Sequence, residues 1–410
     1  MNEIVRQKYI DELDLFFNKK VIKVITGIRR VGKSTLLEQY KIHLLKENKI
    51  TTNQMFSFDF NDIKLRKLSY EQLYDLIIAQ ANSEKTNYLF LDEVQEIKNF
   101  EHCIISLFEN KQYKFDIYIT GSNSKMFSSK LATLFTGRNV EIKVYPLSFK
   151  EYFEFVKMNY NIHDKYQVFE KYLKYGGLPI CLDSFNQPLA IETKLLSLIN
   201  DAIEKDIFSR HKVENVNEFK KILKYLIVNI GQPISTTNIA NTIKSNNKSI
   251  VSAKTIDRYI DWISEAILIY RCYFYSFSTK SILNTAGKVY AADTGIKNSM
   301  LNFEINNRGS LLENIVYLEL LRRKNKTIFV GKTKQNKEID FIVENGSIKV
   351  YYQICENFSE TTTQEREISS FSSVKDSYQK YILILYGEEK TTKNGIKIIN
   401  IIDWLLNEEN

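Results

Sequence analysis

Gly27-x-x-x-x-Gly32-Lys33-Ser34, set in the stretch VIKVITGIRRVGKSTLLEQY, has the composition and spacing of a phosphate-binding loop. Its glycines let the backbone curl so that successive N–H groups face inward, and the N-terminus of the helix that follows adds positive potential. In such a loop Lys33 reaches the β- and γ-phosphates, Ser34 ligates Mg²⁺ and Thr35 hydrogen-bonds the α-phosphate. The β-branched run 21–26 ahead of Gly27, and Leu36, Leu37, Tyr40 and Leu44 at helical spacing behind it, supply the strand, loop and helix in the required order. The expected nucleotide-binding set is Gly27, Arg29, Arg30, Gly32, Lys33, Ser34 and Thr35, with ATP and Mg²⁺ as cofactors.

YLFLDE (88–93) is an apolar run ending in two acids, the pattern of a strand buried on both faces whose carboxylates emerge at its end. Beside a phosphate loop, Asp92 would hold Mg²⁺ and Glu93 would orient and deprotonate an attacking water. A third run, 115–120, ends in Thr120-Gly121-Ser122-Asn123, which brings polar side chains to the same sheet edge. One of Thr120, Ser122 and Asn123 would sense the γ-phosphate, and Ser122 is the candidate chosen.

These groups need strands of a parallel sheet alternating with helices, the α/β class. A chain of 410 residues is long enough for several domains, and 44% hydrophobic with 26% charged residues is an ordinary globular composition. No apolar run approaches the ~18 residues of a membrane helix, and the acids in MNEIVRQKYIDELDLFF argue against a signal peptide. A cytoplasmic protein without membrane contact is expected. The four cysteines and four histidines show no CxxC, HxxxH or nucleophile spacing, which argues against a zinc site or a cysteine hydrolase. A net charge of +8 permits nucleic acid or acidic partners without requiring them.

Taken in order, GIRRVGKST, YLFLDEVQ, ITGSNS, TGRNVEI and PLSFKEY resemble the prokaryotic AAA+ ATPases related to the STAND and archaeal ATPases, and the likeness covers most of the chain. The resemblance implies a P-loop AAA+ core over 1–150 and a helical lid over 151–210, with the GGLP turn (176–179) near the nucleotide base. It also places Arg138 where an arginine finger acts on a neighbouring subunit's nucleotide, which implies a homo-oligomer.

Residues 211–280 have the outline of a winged helix-turn-helix. Three helical patterns, NEFKKILKYLIVNIG, TTNIANTIK and AKTIDRYIDWISEAI, precede two strand-like runs, 269–277 and 287–291, joined by a polar turn. Ile256, Ile260, Ile263 and Ile267 recur at helical spacing, with Ser252 as the N-cap. In a DNA-binding version Lys254, Thr255 and Arg258 would meet phosphates and base edges and Lys280 the backbone; duplex DNA is the expected partner.

The tail, 281–410, carries an amphipathic helix around Glu313, a strand at 327–331, and two strands joined at Asn345-Gly346 in EIDFIVENGSIKVYYQIC. This order resembles the C-terminal domain, similar to PD-(D/E)xK (restriction-endonuclease-like) nucleases, that accompanies these ATPases. The nuclease pattern implies a helix acid, a strand Asp and a Glu-x-Lys, and here those places hold Glu313, Asp340, Gln353 and Cys355. An uncharged amide is a poor ligand for a hard cation, and a thiol supplies no fixed positive charge. An inactive, docking or DNA-holding domain is expected. The overall expectation is an ATP-hydrolysing protein whose nucleotide state controls a partner. The alternatives are a STAND-like switch acting through protein contacts and a Mg²⁺-dependent nuclease.

Overall fold

The computed structural model describes residues 3–47, 49–122, 137–247, 251–277, 279, 281–323, 327–333, 337–372, 374 and 376–407. The chain forms two compact units: Glu3–Val144 with Glu265–Ile267, and Tyr145–Ser264 with Leu268–Asn410. Among the described residues no helix is long and apolar enough to cross a membrane.

In the first unit β1 (Ile22–Thr26), β2 (Met55–Asp59), β3 (Asn87–Asp92), β4 (Phe115–Gly121) and β5 (Asn139–Lys143) form one sheet in the order β2-β3-β4-β1-β5. Every pairing is parallel. All residues of β1 and β3 are buried, as their uninterrupted apolar runs require when helices cover both faces of a parallel sheet. Parallel strands also bring their carboxyl ends to one edge, where ligands bind in open α/β sheets. Gly27, the Asp92-Glu93 pair and Thr120-Gly121 therefore meet at that edge.

The second unit holds the helices Phe149–Tyr160, Lys165–Tyr175 and Pro188–Ala202, then Val216–Val228, Thr236–Asn247 and Ala253–Glu265. Its nine-stranded sheet contains β6 (Pro233–Ile234), β7 (Ile269–Ser276), β8 (Ser281–Ala291), β9 (Thr327–Lys332), β10 (Glu338–Asn345), β11 (Ile348–Asn357), β12 (Lys380–Tyr386), β13 (Lys390–Thr391) and β14 (Lys397–Asn400). The order is β13-β14-β12-β11-β10-β9-β7-β8-β6. The second strand expected at 287–291 is longer than its sequence suggests: β8 begins at Ser281, because pairing with β7 holds its polar half in the ladder. β7 also pairs in parallel with β9, so strands from 211–280 and from 281–410 lie in one sheet.

The three central helices form where the periodicity places them, with Ile256, Ile260 and Ile263 buried. Ser252 caps the third, accepting from the Thr255 N–H at 3.1 Å. Ile267 lies past the helix end with φ 54°, a left-handed conformation that a β-branched residue rarely adopts. In the GGLP segment Gly176 ends the helix Lys165–Tyr175 at φ 78°. Its neighbour Gly177 donates its N–H to buried Asp293 at 2.8 Å, and Asp293 also accepts from Gly295 at 2.8 Å. A side chain at Gly176 would collide with that carboxylate, so this turn is fixed by packing inside its own unit.

Candidate functional site

The phosphate loop is shaped for close backbone approach. A Cβ on Gly27 would stand 2.5 Å from the Val144 carbonyl oxygen. Gly32 takes φ 96° immediately before the helix Lys33–Lys46, and Arg30 takes φ 63°. Lys33 is buried at 4% exposure, and its ammonium donates to the carbonyls of Gly27 at 3.1 Å and Ile28 at 3.4 Å. It also lies 3.6 Å from Glu93 Oε1. A buried ammonium held by carbonyls and one carboxylate is poised to exchange them for phosphate oxygens.

Asp92 ends β3, and Glu93 follows at φ 53°, the kind of backbone outlier that clusters at functional sites. The Thr120 hydroxyl, from the neighbouring strand, ties the two together: it donates to Asp92 Oδ1 and accepts from the Glu93 N–H at 2.9 Å. Gln95 donates its side-chain amide to Glu93 Oε2. Burial pushes the Asp92 carboxyl above the usual carboxylate range, while hydrogen bonds from Ser34 and Thr120 pull it down. A hydroxyl beside a carboxylate at the loop is the donor set a hard divalent cation needs, so Ser34 and Asp92 fit Mg²⁺.

Of the three polar candidates at the end of β4, Thr120 is thus in contact with both acids. Ser122 is fully buried two residues on, and Asn123 lies outside the described residues. Gln95 was not singled out in the sequence; its only signal is its place two residues after Glu93. Arg138 immediately precedes β5 and pairs with Glu109 at 2.7 Å. The register Ile22↔Asn139 puts it at the amino-terminal edge of the sheet, about five residues or roughly 16 Å of strand from the phosphate loop. It cannot touch the nucleotide of its own loop.

In the second unit Glu313 comes from the helix Arg308–Arg322, Asp340 from β10, and Gln353 and Cys355 from β11. Asp340 Oδ2 accepts from the Ile354 N–H at 2.8 Å, and its own N–H points to Gln353 Oε1 at 3.4 Å. Burial, reinforced by Glu313, holds the Asp340 carboxyl well above the usual range. Burial pushes the Cys355 thiol up to about 11, and it donates to the Asn357 carbonyl at 3.1 Å. The sequence reading missed Lys288. This residue of β8 is 4% exposed, and its ammonium stands 3.0 Å from Glu313 and 2.9 Å from Glu338. The Tyr290 hydroxyl donates to the same Glu313 oxygen at 2.6 Å. The signal was a lone lysine inside the apolar run GKVYAA. Among the described residues no three His, Cys, Asp or Glu side chains converge as a metal ion needs.

Lys254, Asp257, Arg258 and Asp261 are exposed on the helix Ala253–Glu265, while Thr255 is half-buried. Arg258 lies 3.6 Å from Glu214 and stacks over Trp262 at 5.3 Å. Lys280 lies outside the described residues.

Comparison with known proteins gives the family. The description of an AAA domain matches residues 19–153, and two domains of unknown function match 166–307 and 308–404. An uncharacterized protein of Haemophilus influenzae is 33% identical over 98% of this chain and 98% of its own. An uncharacterized protein of Methanocaldococcus jannaschii is 34% identical over 89% of this chain and 81% of its own. The chain belongs to the AAA-domain ATPases. The Walker-type ATPase PABY2304 of Pyrococcus abyssi shares the fold of this ATPase at TM-score 0.50 and 16% identity, over 73% of this chain and 96% of that one.

Proposed function

We propose that this AAA ATPase hydrolyses Mg²⁺-ATP as a switch, and that its nucleotide state sets how the second unit engages duplex DNA. The observation that carries the catalytic part is the meeting of Lys33, Asp92, Glu93 and Thr120 at one edge of the parallel sheet. The loop N–H groups, with Lys33 and the Arg29-Arg30 pair, bind the phosphates, and Thr35 takes the α-phosphate. Ser34 and Asp92 hold Mg²⁺, which neutralises phosphate charge when bound. Glu93 orients the attacking water and takes its proton. Lys33 lies 3.6 Å from Glu93, so phosphate oxygens that take up its ammonium leave Glu93 for water. Ser122 stands behind Thr120 as the second candidate for reading the γ-phosphate. Arg138, too far from its own loop, serves as a finger only in an oligomer, toward a neighbour's nucleotide.

Support for the DNA part comes from the order helix, short strand, two helices and hairpin, the order expected of a winged helix-turn-helix, with Lys254, Thr255 and Arg258 at the start of the third helix. The tail acts as a nuclease-like holding domain without cleavage, because Gln353 and Cys355 stand where the pattern has a metal-binding carboxylate and a lysine. ATP turnover measured with and without duplex DNA across a salt series tests this. The expected result is stimulation that fades steeply with salt, as counterion release requires. Turnover indifferent to DNA refutes the partner, and Mg²⁺-dependent nicking abolished by Asp340→Ala refutes the inactive tail. One observation favours a second reading, a STAND-like switch acting through protein contacts: the exposed helix face alternates Lys254, Asp257, Arg258 and Asp261, and Arg258 is already beside Glu214.

A further inference from the structure

The amino-terminal edge of the ATPase sheet carries a feature that phosphate transfer at the opposite edge does not use. A cleft of about 390 Å³ opens between the loop before β1 and the loop before β4. Its volume is in the range of small-ligand sites, roughly 300–1,000 Å³. Lys19 and Lys20 line it from one loop, and Lys111 and Lys114 from the other. All four are exposed, and among the described residues none has a carboxylate partner within ion-pair distance. The one acid in the lining, Asp116, is already answered: buried Lys23 pairs with it, and the Asn18 N–H and the Tyr118 hydroxyl donate to its Oδ2 at 3.0 and 2.9 Å. The cleft therefore presents four uncompensated positive charges above a neutralised floor.

Hydrogen bonds fix both walls. Asn110 Oδ1 accepts from the N–H groups of Gln112 at 2.9 Å and Tyr113 at 2.8 Å, which folds the second loop into a fixed turn. On the other side Asn18 Oδ1 accepts from the Tyr88 hydroxyl at 3.0 Å. Half-buried Phe108 and Tyr113 stand in the lining among the lysines, and the Lys20 ammonium lies 5.9 Å from the Phe108 ring centre. Rings interleaved with cations are the combination that takes a planar base on one part and phosphate on another.

We infer that this cleft is a second anion-binding site, separate from the phosphate loop, that binds a nucleoside phosphate, either free or as one unit of a single strand. Bases in a duplex are stacked on each other, so a duplex would offer the lysines its phosphates and the rings nothing. The two edges are physically distinct: β4 runs from Phe115 at the cleft to Gly121 at the catalytic edge, about 20 Å of strand. The inference stands apart from the DNA reading of the helix Ala253–Glu265.

The test removes the phosphate loop from the measurement. In the Lys33→Ala protein, fluorescence anisotropy follows a labelled nucleoside triphosphate and, separately, a labelled single-stranded 12-mer. The strand titration is repeated in the wild type with excess ATPγS filling the loop, so the result does not depend on one variant. Saturable binding of either probe is expected, weakened about tenfold or more by Lys19→Ala/Lys20→Ala and by Lys111→Ala/Lys114→Ala, the scale of lost charge-assisted hydrogen bonds. Binding of the strand alone or of the free nucleotide alone identifies the source of the ligand. No saturable binding below about 1 mM, a loss no larger in these variants than in Lys254→Ala, or equally tight binding of pyrophosphate, which has no base, overturns the inference.

Discussion

Replacing Thr120 by valine removes one oxygen and keeps the branched shape. That oxygen serves both acids of the candidate site, donating to Asp92 and accepting from the Glu93 N–H at 2.9 Å. A hydrogen bond to a charged group contributes about 1.5–3 kcal/mol, and a buried N–H left unpaired costs about 1–3 kcal/mol. Because one atom makes both bonds and Glu93 can relax by a small backbone shift, the expected loss is about 3 kcal/mol of stability rather than the full sum. Turnover should fall further than binding. Glu93 would no longer be held at its left-handed backbone position, and a drop in kcat of about ten- to a hundredfold corresponds to roughly 1.4–2.7 kcal/mol of barrier. The acid limb of the rate profile should also move to higher pH. Burial already raises the Asp92 carboxyl, and removing Thr120 deletes one of the hydrogen bonds that pull it down. Urea denaturation gives the stability term, and steady-state phosphate release from pH 5 to 8 gives the other two. A Thr120→Val protein with wild-type midpoint, turnover and pH limb would refute the reasoning, and loss of turnover in Ser122→Ala alone would move the role to Ser122.

Glu93→Gln should bind ATP with little change, measured by calorimetry, while turnover drops by about 10²–10⁴, the usual contribution of a general base; normal turnover would remove Glu93 from that role. Lys288→Met leaves Glu313 and Glu338 facing each other without their cation, and thermal unfolding should report a loss of about 3 kcal/mol. An unchanged melting temperature would show that solvent already neutralises those acids. Burial raises the Asp293 carboxyl from 3.8 to about 7, against the N–H donors of Gly177 and Gly295. A folded value above the unfolded one means that the folded state holds the proton more tightly, so this contribution is complete below pH 4 and is lost as pH rises toward 7. Between those values the wild type should lose up to about 1.4 kcal/mol per pH unit relative to Asp293→Asn in denaturant titrations. A parallel pH dependence in the two proteins would contradict that.

The phosphate loop was legible because its residues are contiguous: strand, glycines, lysine and serine occupy fewer than two dozen positions, and local geometry alone requires the order. The same holds for the buried run ending at Asp92-Glu93, for the three central helices with their inward isoleucines, and for the Asn345-Gly346 turn, where Gly346 takes φ 60°. Each is a periodicity or a turn that neighbouring residues impose on themselves. The expectation for Gln353 and Cys355 likewise needed only a count along one strand.

Tertiary pairing decided the rest. The Thr120 hydroxyl meets Asp92 because β4 lies beside β3, and the contact joins residues 28 apart. Lys288 reached Glu313 across 25 residues because β8 lies beside the helix that carries the acid, and a lone lysine in GKVYAA does not name its partner. Asp293 met Gly177 from 116 residues away. The basic cleft exists only because two unrelated loops precede strands that pair in parallel. Spacing along a chain encodes what one element does by itself, whereas a buried charge or a shared pocket depends on which elements the sheet makes neighbours.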